Sequence, residues 1–150
     1  MRYIITESQY KKLMEQEEEE KVLYVPDVKV FGGWNNLQNY LKSKGNPPYS
    51  IGGDLDLSFT HTRTLGNLQS VGGNLDLANT DIQYLWKLKS VGGDLILRSD
   101  DAVSSLGFFG DLKYVGGHLD LKYTPISEKY TKDEIRAVVN VGGQIFMRIR

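Results

Sequence analysis

The side chains in this 150-residue chain that could do chemistry are mostly aspartates, and they recur. Asp54, Asp56, Asn74, Asp76, Asp94 and Asp120 occupy matching places in successive copies of one pattern, whose cleanest form is Ser-Val-Gly-Gly-Asn-Leu-Asp-Leu at 70–77. If the copies stack as parallel strands, equivalent residues sit about 4.8 Å apart and form columns. The first outward column is Asp54, Asn74, Asp94, His118 and Gln144; the second is Asp56, Asp76, Ile96, Asp120 and Phe146; the third is Ser58, Ala78, Arg98, Lys122 and Arg148. Stacked carboxylates repel one another unless they are solvated or neutralised. The acidic ladder therefore reads either as a solvated face or as a patch for a basic partner segment or a divalent cation. Calcium takes six or more oxygens from a wrapped loop, and a flat ladder supplies fewer, so no metal is expected.

Other chemistry is sparse. The chain has no cysteine, and His61 and His118 are its only histidines, which excludes disulfides, thiolate catalysis and histidine-rich metal sites. His118 beside Asp120 has the makings of an acid/base pair, but no nucleophile or oxyanion donor is spaced to join it. The Gly-Gly pairs lack both G-x-G-x-x-G spacing and a Lys-Ser/Thr sequel, so they are not phosphate loops. No enzyme activity and no cofactor are expected. A net charge of -1 gives no global attraction to nucleic acid or anionic lipid, although Arg98, Lys122, Arg148 and Arg150 form a basic edge. Apolar anchors for a protein partner are a better prospect. Ile96 and Phe146 interrupt the polar face, and the tip Leu106-Gly-Phe-Phe-Gly110 puts Phe108 beside Phe109. Two adjacent aromatics between glycines either split, one exposed as an anchor, or both fold back over a widened repeat.

The elements that position these residues follow from the period. Gly-Gly occurs six times; Gly52, Gly72 and Gly92 are 20 residues apart, Gly116 follows after 24 and Gly142 after 26. A fixed period of this length marks a solenoid, in which each unit packs only on its neighbours. In the unit 71–90, Val71, Leu75, Leu77, Thr80, Ile82, Leu85 and Leu88 point inward. Residues 74–78 alternate as a strand with Asn74, Asp76 and Ala78 outward. Thr60, Thr80 and Thr124 occupy one inward slot, where hydroxyls bond neighbouring backbone, and Asp100 replaces them in the third unit. Each Gly-Gly is expected to supply a backbone bend, and Gly32-Gly33 reads as a copy that has lost its strand.

The flanks divide the chain. Residues 1–21 form a short amphipathic helix, begun by the Thr6–Gln9 capping box and carried by Tyr10, Leu13 and Met14, followed by the acidic run 15–20. Residues 22–48 are an N-terminal cap, with an edge strand limited by Pro26 and a helix over 34–44. Residues 49–123 hold the repeats. Residues 124–150 are a C-terminal cap, with a helix over 131–139 opened by a Thr131–Glu134 capping box and a last strand over 142–149.

The run Val71-x-x-x-Leu75-x-Leu77-x-x-Thr80-x-Ile82-x-x-Leu85 resembles the leucine-rich repeat, with threonine in the usual asparagine place. Leu55, Leu57, Thr60, Thr62 and Leu65 repeat it, as do Leu119, Leu121, Thr124 and Ile126. The resemblance covers about half the chain and implies an α/β solenoid: a leucine-rich-repeat-like parallel strand stack of about 4–5 repeats of 20–26 residues, with helical N- and C-terminal caps. The opening residues 1–13 are similar to leaders carried by assorted tailed-bacteriophage proteins. A broad repetitive face without convergent chemistry suits a protein–protein interaction module. The alternative is a structural component of a virion or other large assembly that docks through its N-terminal helix and caps and can form homo-oligomers. No apolar run approaches the roughly 20 residues of a spanning helix, and no signal peptide is evident at the start. The expected location is host cytoplasm or virion, with a protein as the partner.

Overall fold

The computed structural model describes residues 6–12 and 21–149. Residues 1–5 of the leader-like opening, the expected helical contacts of Leu13 and Met14, the acidic run and Arg150 of the basic edge lie outside them. Residues 7–12 are helical and exposed, opened by the expected capping box: Thr6 N donates to Gln9 Oε1 at 2.9 Å and Gln9 N to Thr6 Oγ1 at 3.2 Å.

Two parallel sheets dominate the rest. The strands are β1 (Leu23–Val25), β2 (Tyr49–Ile51), β3 (Leu55–Asp56), β4 (Leu68–Val71), β5 (Leu75–Asp76), β6 (Ser90–Val91), β7 (Leu95–Ile96), β8 (Tyr114–Val115), β9 (Leu119–Asp120), β10 (Asn140–Val141) and β11 (Ile145–Phe146). Even-numbered strands join β1 in a six-stranded sheet ordered β1-β2-β4-β6-β8-β10, and odd-numbered ones form a five-stranded sheet ordered β11-β9-β7-β5-β3. Each unit thus gives one short strand to each sheet, with Gly-Gly at the corner between them. The second strand and its register, Leu55↔Leu75↔Leu95↔Leu119↔Ile145, are those the repeat predicts. The repeat does not predict the strand before each Gly-Gly, because only one or two apolar residues mark it there.

The glycines are required for close approach, not for the bend expected of them. None of the repeat glycines has a left-handed φ. A Cβ on Gly72, Gly92 or Gly116 would instead collide with the carbonyl oxygen of the corresponding glycine one unit earlier. A Cβ on the second glycine would collide with a side chain: Asp54 over Gly73, Asn74 over Gly93, Asp94 over Gly117, His118 over Gly143. Gly32-Gly33 is no copy of this corner. Pairing of Val25 with Ile51 puts Pro26-Asp27 at the equivalent place. Gly32 (φ 84°) and Gly33 (φ 117°) instead take left-handed backbone between the 3-10 turn Val28–Phe31 and helix α1 (Trp34–Ser43).

The apolar side chains form one continuous core. Val71, Leu75, Leu77, Ile82, Leu85 and Leu88 are at most 1% exposed, as expected for the inward set. Leu37 and Leu41 of α1 close its N-terminal end. Tyr49 ties that lid to the first unit: its hydroxyl donates to Leu65 O at 2.7 Å and accepts from Gln38 Nε2 at 3.3 Å, and burial pushes it up to about 12. At the other end stand α2 (Ile126–Lys129) and α3 (Lys132–Arg136), the latter shorter than the expected helix but opened by the expected Thr131–Glu134 capping box. Arg136 closes the last corner. Its guanidinium donates to Val141 O at 2.8 Å and Gly143 O at 3.0 Å, carbonyls whose counterparts Ile51 and Gly53 accept from the amides of Gly72 and Gly73. Among the described residues no helix is long and apolar enough to cross a membrane.

Gly93→Ala is expected to lower unfolding stability by about 1–3 kcal/mol in urea titrations, the usual penalty of overpacking. Gly53→Ala is expected to cost clearly less, because its Cβ would meet only Pro26 O at 3.3 Å and Asp27 Oδ2 at 3.8 Å. Equal losses would separate the glycine requirement from the stacking distance.

Candidate functional site

The first column is a hydrogen-bonded ladder. Asp54 Oδ1 accepts from Asn74 N at 2.7 Å, Asn74 Oδ1 from Asp94 N at 2.8 Å, Asp94 Oδ1 from His118 N at 2.7 Å, and His118 Nδ1 from Gln144 N at 2.9 Å. Each side chain lies over the second glycine of the next unit and reaches the amide just beyond it. An accepting Nδ1 fixes His118 with its proton on Nε2. His118 is therefore a rung of the ladder and not the acid/base partner of Asp120.

The second column turns inward on itself. Asp56 Oδ1 accepts from Ser58 N at 3.0 Å and Ser58 Oγ at 2.6 Å, bonds that hold its carboxyl below the usual range. Asp76 Oδ1 and Asp120 Oδ1 accept from Ala78 N and Lys122 N, each at 3.0 Å. Asp120 is only 7% exposed, because Arg98 Nη2 at 3.2 Å and Lys122 Nζ at 3.7 Å cover its other oxygen. It is thus no part of an open acidic face. Ala78, expected outward, is also covered, a methyl between the longer Ser58 and Arg98 of its column. What stays acidic and open is the N-terminal end: Asp54, Asp56 and, half-covered, Asp76. Among the described residues no group of three or more acidic or histidine side chains is placed to hold a metal ion.

The apolar candidates separate, and of the two readings of the aromatic tip both rings fold back. Phe108 and Phe109 are each 1% exposed, so neither is a surface anchor. They lie on the 3-10 turn Leu106–Phe109, edge-to-face at 6.0 Å, and Phe108 O accepts from Leu85 N at 2.9 Å, which folds the insertion onto the preceding unit. Ile96 is half-buried in the face. Phe146 is 36% exposed, with the His118 ring at 5.4 Å and Lys122 Nζ 5.6 Å from its centroid.

The exposed aromatics are elsewhere. Tyr84 and Trp86 stand edge-to-face at 5.6 Å, 50% and 53% exposed. Trp86 has φ 53°, in a slot that Gly66 (φ 62°) and Gly110 (φ 54°) occupy in the neighbouring units. Left-handed backbone strains a tryptophan by about 1–3 kcal/mol, whereas glycine adopts it freely. Phe59, 78% exposed at φ 58°, is a second such residue, in the slot of Asn79, Ser99 and Tyr123. Aligning the units with their insertion could have found Trp86, an aromatic 20 residues after Gly66 and 24 before Gly110. The sequence reading followed the inward pattern and passed over it.

A groove of about 840 Å³ opens beside the first unit, between the start of α1 at Gly33 and Trp34 and the run through Asp56, Thr60, His61 and Arg63.

Asp100 is the one buried member of the ladder units that does not fit its slot. Thr60, Thr80 and Thr124 donate their hydroxyls to Leu57 O, Leu77 O and Leu121 O at 2.6, 3.0 and 2.7 Å. An ionised carboxylate cannot make that bond. Asp100 Oδ1 accepts from Ala102 N at 3.1 Å, but Oδ2, in a residue 2% exposed, meets no hydrogen-bond partner among the described residues. Burial, reinforced by Asp101 and Asp81 and opposed by the Ala102 amide and the Thr80 hydroxyl, pushes its carboxyl up to about 6.

No protein-family model, curated protein or solved structure matches this chain.

Because the folded chain holds the Asp100 proton more tightly than the unfolded chain, this site contributes stability below about pH 4 and loses it as pH rises through about 6. Asp100→Thr is expected to raise stability at pH 7.5 by about 1–3 kcal/mol and to flatten the profile between about pH 4 and 6.5. Thermal melts across that range check it; an unchanged profile would remove Asp100 as its source.

Proposed function

We propose that this protein is a non-enzymatic protein–protein interaction module, a leucine-rich-repeat-like solenoid of phage origin whose units display a binding surface. The observation that carries this reading is the Tyr84–Trp86 pair, half-exposed on a backbone that the neighbouring units entrust to glycine. Strain kept at an exposed aromatic marks a position held for contact rather than for folding. Tryptophan and tyrosine are also the residues that most often dominate the energetics of protein interfaces. The surface charge of exposed Asp54 and Asp56 and half-covered Asp76 adds a preference for a basic partner.

A second reading is a structural component of a virion or other assembly. One feature favours it: β1, β3 and β11 end their sheets with no strand beyond them, and an open edge is a template for pairing with another chain.

Trp86→Gly separates binding from folding. The substitution matches Gly66 and Gly110 and relieves the backbone strain at Trp86, so unfolding stability is expected to hold or rise. Affinity purification from the source cells, with the variant beside the parent, is expected to lose a specific protein partner. An identical set of captured proteins from both would overturn the role given to Trp86. A defined multimer in light scattering would favour the assembly reading.

A further inference from the structure

The two sheets end unequally at the N-terminal side. The six-stranded sheet continues past the first unit to β1, whereas the five-stranded sheet stops at β3. After Pro26-Asp27 the chain turns into the 3-10 segment and α1 instead of running on as a strand. The place of one strand beside β3 is therefore not filled by a strand, and the groove beside the first unit opens there, lined on one side by Asp56 and Leu57.

The polar groups that β3 presents follow from the register. Within the sheet, Asn74 O and Asp76 O accept from Leu55 N and Leu57 N of the preceding unit, at 2.8 and 2.9 Å. By the same register Asp54 O and Asp56 O lie as acceptors on the side of β3 away from β5, with Asp56 N between them as a donor, and Asp56 lines the groove there. The ladder points the same way. Asn74 N meets the Asp54 side chain, so Asp54 N faces the place of a missing side-chain acceptor. Gly53 is the second sign. Its counterparts Gly73, Gly93, Gly117 and Gly143 must be glycine because the preceding ladder side chain lies over them. Gly53 has no such side chain above it, and its nearest neighbours are Pro26 O and Asp27 Oδ2. Among the described residues no ladder side chain reaches Asp54 N as Asp54 reaches Asn74 N, and only Pro26 O and Asp27 Oδ2 border the position of a Cβ on Gly53.

We propose that this edge binds an extended peptide by strand addition, parallel to β3, with asparagine at the position beside Asp54 and lysine or arginine two residues later beside Asp56. Backbone pairing gives the affinity, and alternate side chains give the choice of sequence. The asparagine carbonyl accepts from Asp54 N over Gly53, as Asn74 accepts from Asp94 N. Asparagine is favoured over aspartate because Asp54 and Asp56 are both exposed and acidic. The basic residue, aligned with Asp56 as Asp76 is, meets the carboxylate that Ser58 holds ionised. This inference rests on the reading of the protein as a binding module and locates a second contact on it, apart from Trp86.

Fluorescence anisotropy with a labelled, N-acetylated peptide that begins at Asn-Leu-Lys-Leu, because Pro26-Asp27 already stand beside Gly52-Gly53, tests it directly on the full chain. Saturable binding is expected, weakened at least tenfold when the asparagine becomes alanine or the lysine becomes glutamate, and abolished by N-methylation of the leucine amide after the asparagine. On the protein, Gly53→Ala is expected to weaken binding at least tenfold while leaving the melting temperature nearly unchanged, because the methyl occupies the space of the rung. Asp56→Lys is expected to favour the glutamate peptide over the lysine peptide. Binding indifferent to the asparagine and to Gly53→Ala overturns the proposal, as does absence of peptide binding together with concentration-dependent self-association that Asp56→Lys abolishes, which would assign the edge to a second copy. A Trp86-dependent partner captured together with no peptide binding would reject this inference and leave the binding-module reading intact.

Discussion

Everything in this fold depends on how closely one coil lies on the next at the Gly-Gly corner. Backbone approaches backbone there with no room for a methyl group, and the corner amides bond to the coil before: Gly93 N to Gly73 O, Gly117 N to Gly93 O, each at 2.9 Å. The second glycine serves a further purpose, since the space above it admits the ladder side chain of the preceding coil, which takes the next amide. One short sequence, Gly-Gly followed by a hydrogen-bonding side chain, therefore makes each coil both the support of the next and the acceptor of its amide. Short strands of two to four residues suffice because this corner aligns them.

The closeness of the corner also explains why so little of the polar surface is chemically idle. Asp54, Asn74 and Asp94 bond backbone across coils, and Asp76 and Asp120 bond backbone within their own coil. A carboxylate engaged in this way carries charge at the surface but is not free to move onto a ligand. The open functional groups consequently gather where the pattern stops or is broken: at the first coil, which has no predecessor in its five-stranded sheet, and at Trp86, where the glycine of the neighbouring coils is replaced.

Much of the architecture was legible in the sequence. The inward leucines, the columns, the register and both capping boxes follow from a 20-residue period and elementary side-chain geometry. The strand before each Gly-Gly was not legible, since two residues such as Ser90-Val91 carry no alternation. The purpose of the glycines was misread for a physical reason. A glycine required by a left-handed φ and one required by a neighbouring backbone look alike in sequence, and only the distance to the next coil separates them. The Phe108–Phe109 pair was ambiguous because its burial depends on an insertion folding onto Leu85, a contact that has no period. The candidate site was the least legible part: Trp86 belongs to an irregular return segment, where exposure is set by backbone φ and not by alternation.

Arg136 gives the last coil a false successor. Two nitrogens of one guanidinium stand where two glycine amides would come next, so the stack is ended by a side chain and not by a different kind of coil. The units between the two lids are then interchangeable in principle. A duplicated or deleted stretch such as 71–90 leaves both lids with the same partners and changes only the separation between them, by one strand spacing of about 4.8 Å. In such a chain the number of coils acts as a measure of length, able to drift by whole steps while the ends, and whatever they hold, stay the same.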